Sequence, residues 1–167
     1  MVQVTVARLG LDSSTNTYVV VLRERDGQRL LPIWIGQPEA ESIAMELNHV
    51  QRERPMTHDL CRSLITGLGG VLRQVTITRV HQSTFYAELV LDGPAGAVVI
   101  DARPSDSIAI ALRLEAPIFV PDWLLTGLPD AEPLEPPEGM PTSELTPEQL
   151  KRYLEQLRPE DFGRFLP

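Results

Sequence analysis

The chain has one cysteine, Cys61, in 167 residues. That excludes an internal disulfide and a cysteine-built zinc site. Cys61 falls on the apolar side of a predicted helix, where a free thiol behaves as a small core hydrophobe. No stretch is apolar for the ~20 residues that a membrane-spanning helix needs. The residues from Val2 enter a strand pattern with no basic-then-apolar leader, so a cytoplasmic location without a membrane anchor is expected. Positive charge is scarce as well: the formal net charge is −8, and 14 of the 15 basic residues are arginine. A broad nucleic-acid platform, which must neutralise many phosphates, does not fit that balance. Local arginine clusters around a phosphate do. Familiar catalytic signatures are missing too. There is no Gly-rich phosphate loop opening a helix, no His-Glu-x-x-His and no Gly-x-Ser-x-Gly. No serine or cysteine shows an evident nucleophile-activating partner.

What is present is a regular alternation of strands and helices, in a chain long enough for one sizeable core and an appendage. Val2, Val4 and Val6 alternate with polar residues, as in a half-buried strand. Two β-rich runs, 17–24 and 28–35, are joined by Arg25-Asp26-Gly27, a strong hairpin signal. Pro38 suits the first turn of a helix over about 38–50, with Ala40, Ile43, Ala44, Leu47 and Val50 inward and Met45 outward. A second helix, with Thr57 as N-cap, presents Leu60, Cys61, Leu64, Ile65 and Leu68 on one face and stops at Gly69-Gly70. Strands over 71–80, 84–91 and 98–101 follow, the first with Val71, Val75 and Ile77 on one side. A third helix, capped by Ser105, is apolar nearly all round and is therefore buried. A short strand at 116–120 closes the pattern.

The halves 2–50 and 71–114 each read as three strands and a helix. A shift of 65 residues lays Ile35 on Ile100, Glu41 on Asp106 and Leu47 on Leu112. Two related β3α units would place Glu39 and Glu41 opposite Asp101 and Asp106 across a pseudo-two-fold crevice. The fold class is α+β, a mixed sheet with helices. Residues 1–127 form the domain and 128–145 a Pro- and acid-rich linker. Residues 146–167 form a tethered amphipathic helical segment, opened by the capping-box pattern Thr146-Pro-Glu-Gln149. Its leucines suit docking back on the domain or recruiting a protein partner.

The side chains that carry chemistry gather at predicted helix starts: Glu39, His58, Asp59, Asp101 and Asp106, with Arg52, Arg54 and Arg103 nearby. Carboxylates with one imidazole suit a hard divalent ion that clamps a phosphodiester and activates water. Helix N-termini and arginines suit phosphate oxygens. Acids are also favoured in first turns for purely local reasons. The same groups therefore serve equally as the structural or anion-binding pocket of a non-catalytic module.

Five motifs occur in a fixed order: Leu31-Pro-Ile-Trp-Ile-Gly36 with Glu39, Arg54-Pro-Met-Thr-His-Asp-Leu60, Thr84-Phe-Tyr-Ala87, Asp101-Ala-Arg-Pro-Ser-Asp106 and Ala116-Pro-Ile-Phe-Val120. Over about residues 1–125 this series resembles the bifunctional nuclease (DNase/RNase) domain family of bacteria and plants. The resemblance implies an α+β domain whose substrate is nucleic acid, both DNA and RNA, and it supplies no catalytic set. On this reading Glu39, Asp101 and Asp106 hold a magnesium or manganese ion. His58 acts as general base or ligand, Arg103 steadies the scissile phosphate, and Arg52, Arg54 and Ser105 contact substrate. Outward Met45 and the apolar third helix need cover, so a homo-oligomer is expected.

Overall fold

The structure, a computed structural model, describes residues 1–12 and 15–126. The linker at 128–145 and the segment at 146–167 lie outside the described residues. Three strands open the chain: β1 (Val2–Asp12), β2 (Thr17–Glu24) and β3 (Leu30–Ile35), each antiparallel to the one before. Helices α1 (Gln37–Leu47) and α2 (Thr57–Gly67) follow. A second meander, β4 (Val71–His81), β5 (Thr84–Gly93) and β6 (Gly96–Ala102), leads into α3 (Pro104–Arg113). Strand β7 (Ile118–Val120) and a 3-10 turn at Asp122–Leu124 complete the described chain.

All seven strands form one sheet in the order β3-β2-β1-β7-β4-β5-β6. β7 is the seam: it runs antiparallel to β1 and parallel to β4, which makes the sheet mixed. The two meanders fan out from it in mirrored order, and each ends in a helix. The β3α repeat is therefore present at the level of elements. Its residue match is different from the 65-residue shift, because the N-caps Gly36 and Arg103 lie 67 apart and the C-caps Asn48 and Leu114 lie 66 apart. Glu39 and Asp106, each the third residue of its helix, are the equivalent pair.

The core lies between the helices and one face of the sheet. Val20, Leu22, Ile33, Val75, Ile77, Ala87, Leu89 and Ile118 supply the sheet side, and Ile43, Ile108 and Ala111 the helix side. α3 packs on β4 and β5 and also against α1 and α2, which explains its nearly all-round apolar character.

Several local expectations change. Met45 is buried, 3% exposed, because α1 is flanked by α3 as well as by β2. Val71 is exposed and Leu72 buried, since a register shift between Leu72 and Gln74 reverses the alternation there. α2 is turned so that His58, Cys61 and Ile65 face inward, which leaves Leu60, Leu64 and Leu68 largely exposed. The N-caps are Met56 and Arg103 rather than Thr57 and Ser105. Pro104, with its fixed φ, takes the first helical position and moves the start of α3 back. Among the described residues no helix is long and apolar enough to cross a membrane.

Candidate functional site at the helix starts

Each helix carries an acid as its third residue: Glu39 in α1, Asp59 in α2 and Asp106 in α3. A carboxylate there meets free backbone N–H groups and the positive end of the helix dipole. Asp59 shows the local part of this, accepting a 2.9 Å bond from the Met56 amide. The packing of α3 against α1 and α2 brings the three starts together, and the acids then serve partners outside their own helices.

Arg103 is the hub. Its Nε donates to Asp106 Oδ2 at 2.8 Å, and its Nη2 donates to Glu39 Oε1 at 2.7 Å and to Asp106 Oδ1 at 3.2 Å. One guanidinium thus bridges the equivalent acids of the two β3α units. Behind it, His58 Nε2 lies 3.0 Å from Asp106 Oδ1, and His58 Nδ1 lies 2.7 Å from Ser42 Oγ. A neutral ring that donates from Nε2 to the carboxylate accepts at Nδ1 from the Ser42 hydroxyl. The chain runs from a buried serine to an arginine whose side chain is 67% exposed. Burial alone raises the Asp106 carboxyl pKa, but the bonds and charges of Arg103 and His58 outweigh it and hold the group below its ordinary value. The Asp106 carboxylate, with Glu39 adding to it and burial opposing, in turn raises the pKa of Arg103.

A second assembly lies beneath the first. Arg113, 5% exposed, donates from Nε to Asp59 Oδ1 at 2.6 Å, from Nη1 to Ala109 O at 2.9 Å and from Nη2 to Ser42 O at 3.2 Å. Burial raises the Asp59 pKa, and the Arg113 bond and Met56 amide overcome that and lower it.

Of the residues expected at a site, Glu39, His58, Asp106 and Arg103 are brought together. Asp101 is not. On β6 it stands opposite Glu88, whereas its neighbour Ala102 stands opposite buried Ala87. Alternation therefore turns Asp101 to the sheet face away from the helices. Ser105 is buried in the first turn of α3, out of reach of a substrate. Arg52 lines a polar cleft of about 570 Å³ beyond the C-terminal end of α1, with His49, Asp59 and Arg62, while exposed Arg54 lies outside that lining. Two members escaped the sequence reading. Ser42 follows Glu41 in α1 with no local signal of its role, and its partner, His58, comes from another helix. Arg113 stood out only as a charge on a buried helix.

The set Glu39, Asp101 and Asp106 does not fit a divalent ion. Two of its carboxylates close on Arg103 and the third faces the other side of the sheet. Among the described residues no group of three His, Cys, Asp or Glu side chains is arranged to hold a metal.

The fold and this junction define an α+β domain of two β3α units that share one arginine at their helix starts. The bifunctional nuclease domain family matches residues 20–128, and the chain belongs to that family. It is 41% identical over 166 residues to an uncharacterized protein of Mycobacterium tuberculosis strain H37Rv, spanning 97% of this chain and 98% of that one. It is also 34% identical over 110 residues to bifunctional nuclease 2 and to bifunctional nuclease 1 of Arabidopsis thaliana. Those matches span 63% of this chain but only 33% and 34% of the plant proteins.

Proposed function

We propose that this chain is a nuclease, a hydrolase of phosphodiester bonds in DNA and RNA, and that it acts at the junction of the three helix starts. Family membership and the names of its plant relatives support the reaction class. The observation that carries the site is Arg103. Its Nε and Nη2 are taken by Asp106 and Glu39, while Nη1 makes none of these bonds and the side chain is 67% exposed. A guanidinium fixed on one edge offers the other to a phosphate oxygen in a charge-assisted bond. Beside it, Asp106 is the outer member of the acid–imidazole pair and His58 the inner one, with side chains 28% and 11% exposed. Asp106 stays ionised at neutral pH and orients a water for in-line attack. As the water oxygen bonds to phosphorus and the bond from phosphorus to the leaving sugar oxygen breaks, the water's proton passes by way of Asp106 to that oxygen. His58, held from behind by Ser42, fixes the orientation of the carboxylate and, with Arg103, keeps it ionised.

The test uses full-length protein freed of host nucleases, with single-stranded DNA and RNA as substrates. Arg103→Ala, Asp106→Asn and His58→Gln are each expected to cut cleavage of both by about 10²-fold or more, as loss of a general acid–base or phosphate-binding group does. Their circular dichroism should stay that of the parent. Undiminished cleavage by Asp106→Asn and Arg103→Ala would sink the site. A second reading, a non-catalytic regulatory module, is favoured by one observation: the charges at the junction satisfy one another. It predicts no cleavage by the parent protein with or without added Mg²⁺ or Mn²⁺. An EDTA arm checks the metal: cleavage that persists agrees with an arginine-centred site, and cleavage that stops assigns an ion to other ligands.

A further inference from the structure

The two edges of the sheet are built differently. At the β3 edge, Pro32 contributes no N–H, and Leu30 exchanges backbone bonds of 2.9 Å with Thr126 in both directions. That edge is blunted in the way that discourages further pairing. At the β6 edge the sequence Gly96-Ala-Val-Val-Ile-Asp-Ala102 has no proline, no lysine and no register shift against β5. Among the described residues no strand pairs with its outer row of backbone groups.

The side chains of β6 repeat the asymmetry. Val98 and Ile100 stand opposite Leu91 and Leu89, whose side chains are buried in the core. They continue the apolar floor one strand further, beyond α3, which covers β4 and β5. There they are 50% and 45% exposed, and Val99 on the other face is 59% exposed. α2 adds Leu60, Leu64 and Leu68, and its C-terminal turn abuts the β5–β6 turn, where a Cβ on Gly69 would lie 3.3 Å from Pro94 Cγ. Apolar side chains thus stand exposed on both faces of an edge strand, which suits it to pair with a further strand.

We propose that β6 pairs antiparallel with β6 of a second copy, joining two seven-stranded sheets into one about a two-fold axis through Val99. The register follows from the faces. A two-fold perpendicular to the sheet keeps both helix layers on one side, so Val98 must meet a residue of its own face. Centring on Val99 pairs Val99 with itself, Val98 with Ile100 and Ala97 with Asp101. Apolar residues then meet on both faces, and no acid opposes an acid. Centring one residue earlier shortens the apolar ladder and sets Ile100 against Gly96. The occupant is a second copy because the strand is its own complement: the two-fold pair sets apolar residues against apolar residues on both faces and Asp101 against Ala97. This is independent of the nuclease reading, since none of these residues belongs to the helix-start junction.

Full-length protein at about 50 µM should elute by light scattering at twice the chain mass of 18.6 kDa. Val99→Lys should halve that mass without changing the circular dichroism, because Val99 is exposed in the single chain. In a Cys61→Ser background, Val99→Cys should oxidise to a covalent dimer, because facing residues of an antiparallel pair lie ~4.5–5.5 Å apart at Cα, within disulfide range. Gln82→Cys, placed at the β4–β5 turn, should not cross-link. A parent protein that is monomeric at this concentration overturns the proposal and hands the strip to another occupant, the segment at 146–167 included. So does a dimer that Val99→Lys leaves intact, or one in which Gln82→Cys links as readily as Val99→Cys.

Discussion

Arg113 donates to α2, to α1 and to its own helix from a position nearly sealed from water. Asp59 is the carboxylate hydrogen-bonded to it, with Glu46 at 3.9 Å as a weaker neighbour. Asp59→Ala therefore strands a buried guanidinium and should cost about 2–3 kcal/mol, below the ~3–5 kcal/mol for breaking a fully buried pair because Asp59 is one-third exposed. Urea unfolding would show it as a lower midpoint with an unchanged slope. Asp59 and Asp106 also set an acid limit. Both have folded pKa values below their ordinary ones. Their stabilisation is complete above the unfolded carboxylate value of ~3.9 and is lost as pH falls through the lower folded values. Melting temperatures should drop steeply below about pH 4. The double variant Asp59→Asn, Asp106→Asn should begin lower and show a flatter acid arm. An acid arm as steep as the parent's would refute the assignment. At this scale Glu39, Asp59 and Asp106 were legible because helix-start acids have a local physical reason to be there, and His58 because it stands beside one of them. Ser42 was not, since its role exists only once α2 lies across α1.

For the elements, the instructive case is α2. Its apolar periodicity groups Leu60, Cys61, Leu64, Ile65 and Leu68 on one face, yet of these only Cys61 and Ile65 pack inward, beside His58. His58 bonds to Asp106 and Ser42, and Asp59 bonds to Arg113. These polar anchors fix the rotation of the helix about its axis, and Cys61 and Ile65 follow at i+3 and i+7 from His58. A hydrophobic stripe reports where a helix can bury surface, and here polar pairing outranks it. β4 shows the parallel limit for strands, where one register shift exchanges Val71 and Leu72 between faces. The link from α2 to β4 depends on Gly69, with φ +75°. Gly69→Ala meets both the left-handed backbone and Pro94, and should cost about 1–2 kcal/mol in thermal or urea unfolding. A neutral effect would show that the turn relaxes freely.

In the molecule as a whole, the mixed sheet was readable from alternation and turn chemistry, but the place of β7 was not. Ile118, Phe119 and Val120 look like any short buried run. Only the assembled sheet shows them wedged between the two meanders, so that a late segment of the domain holds its halves together. The core across that seam is continuous. Ile108, 0% exposed on α3, sits among residues from both sides. Ile108→Ala should cost about 2–5 kcal/mol, the usual loss for a large buried aliphatic. Two-state unfolding should persist, seen as coincident transitions by fluorescence and circular dichroism. Separate transitions would mean that the β3α units are independent folding units.

The junction also bears on how such a repeat can diversify. At equivalent N-caps one unit has Arg103 and the other Gly36. Glu39 folds back over Gly36 into space that any side chain there would occupy. Two identical half-chains would set either two arginines or two glycines at this crevice: a clash of like charges, or a pair of acids with no cation between them. Covalent joining of the halves lets one copy supply the charge while the other supplies room. The asymmetry at Gly36 and Arg103 is thus available to a single chain and closed to a symmetric pair of halves.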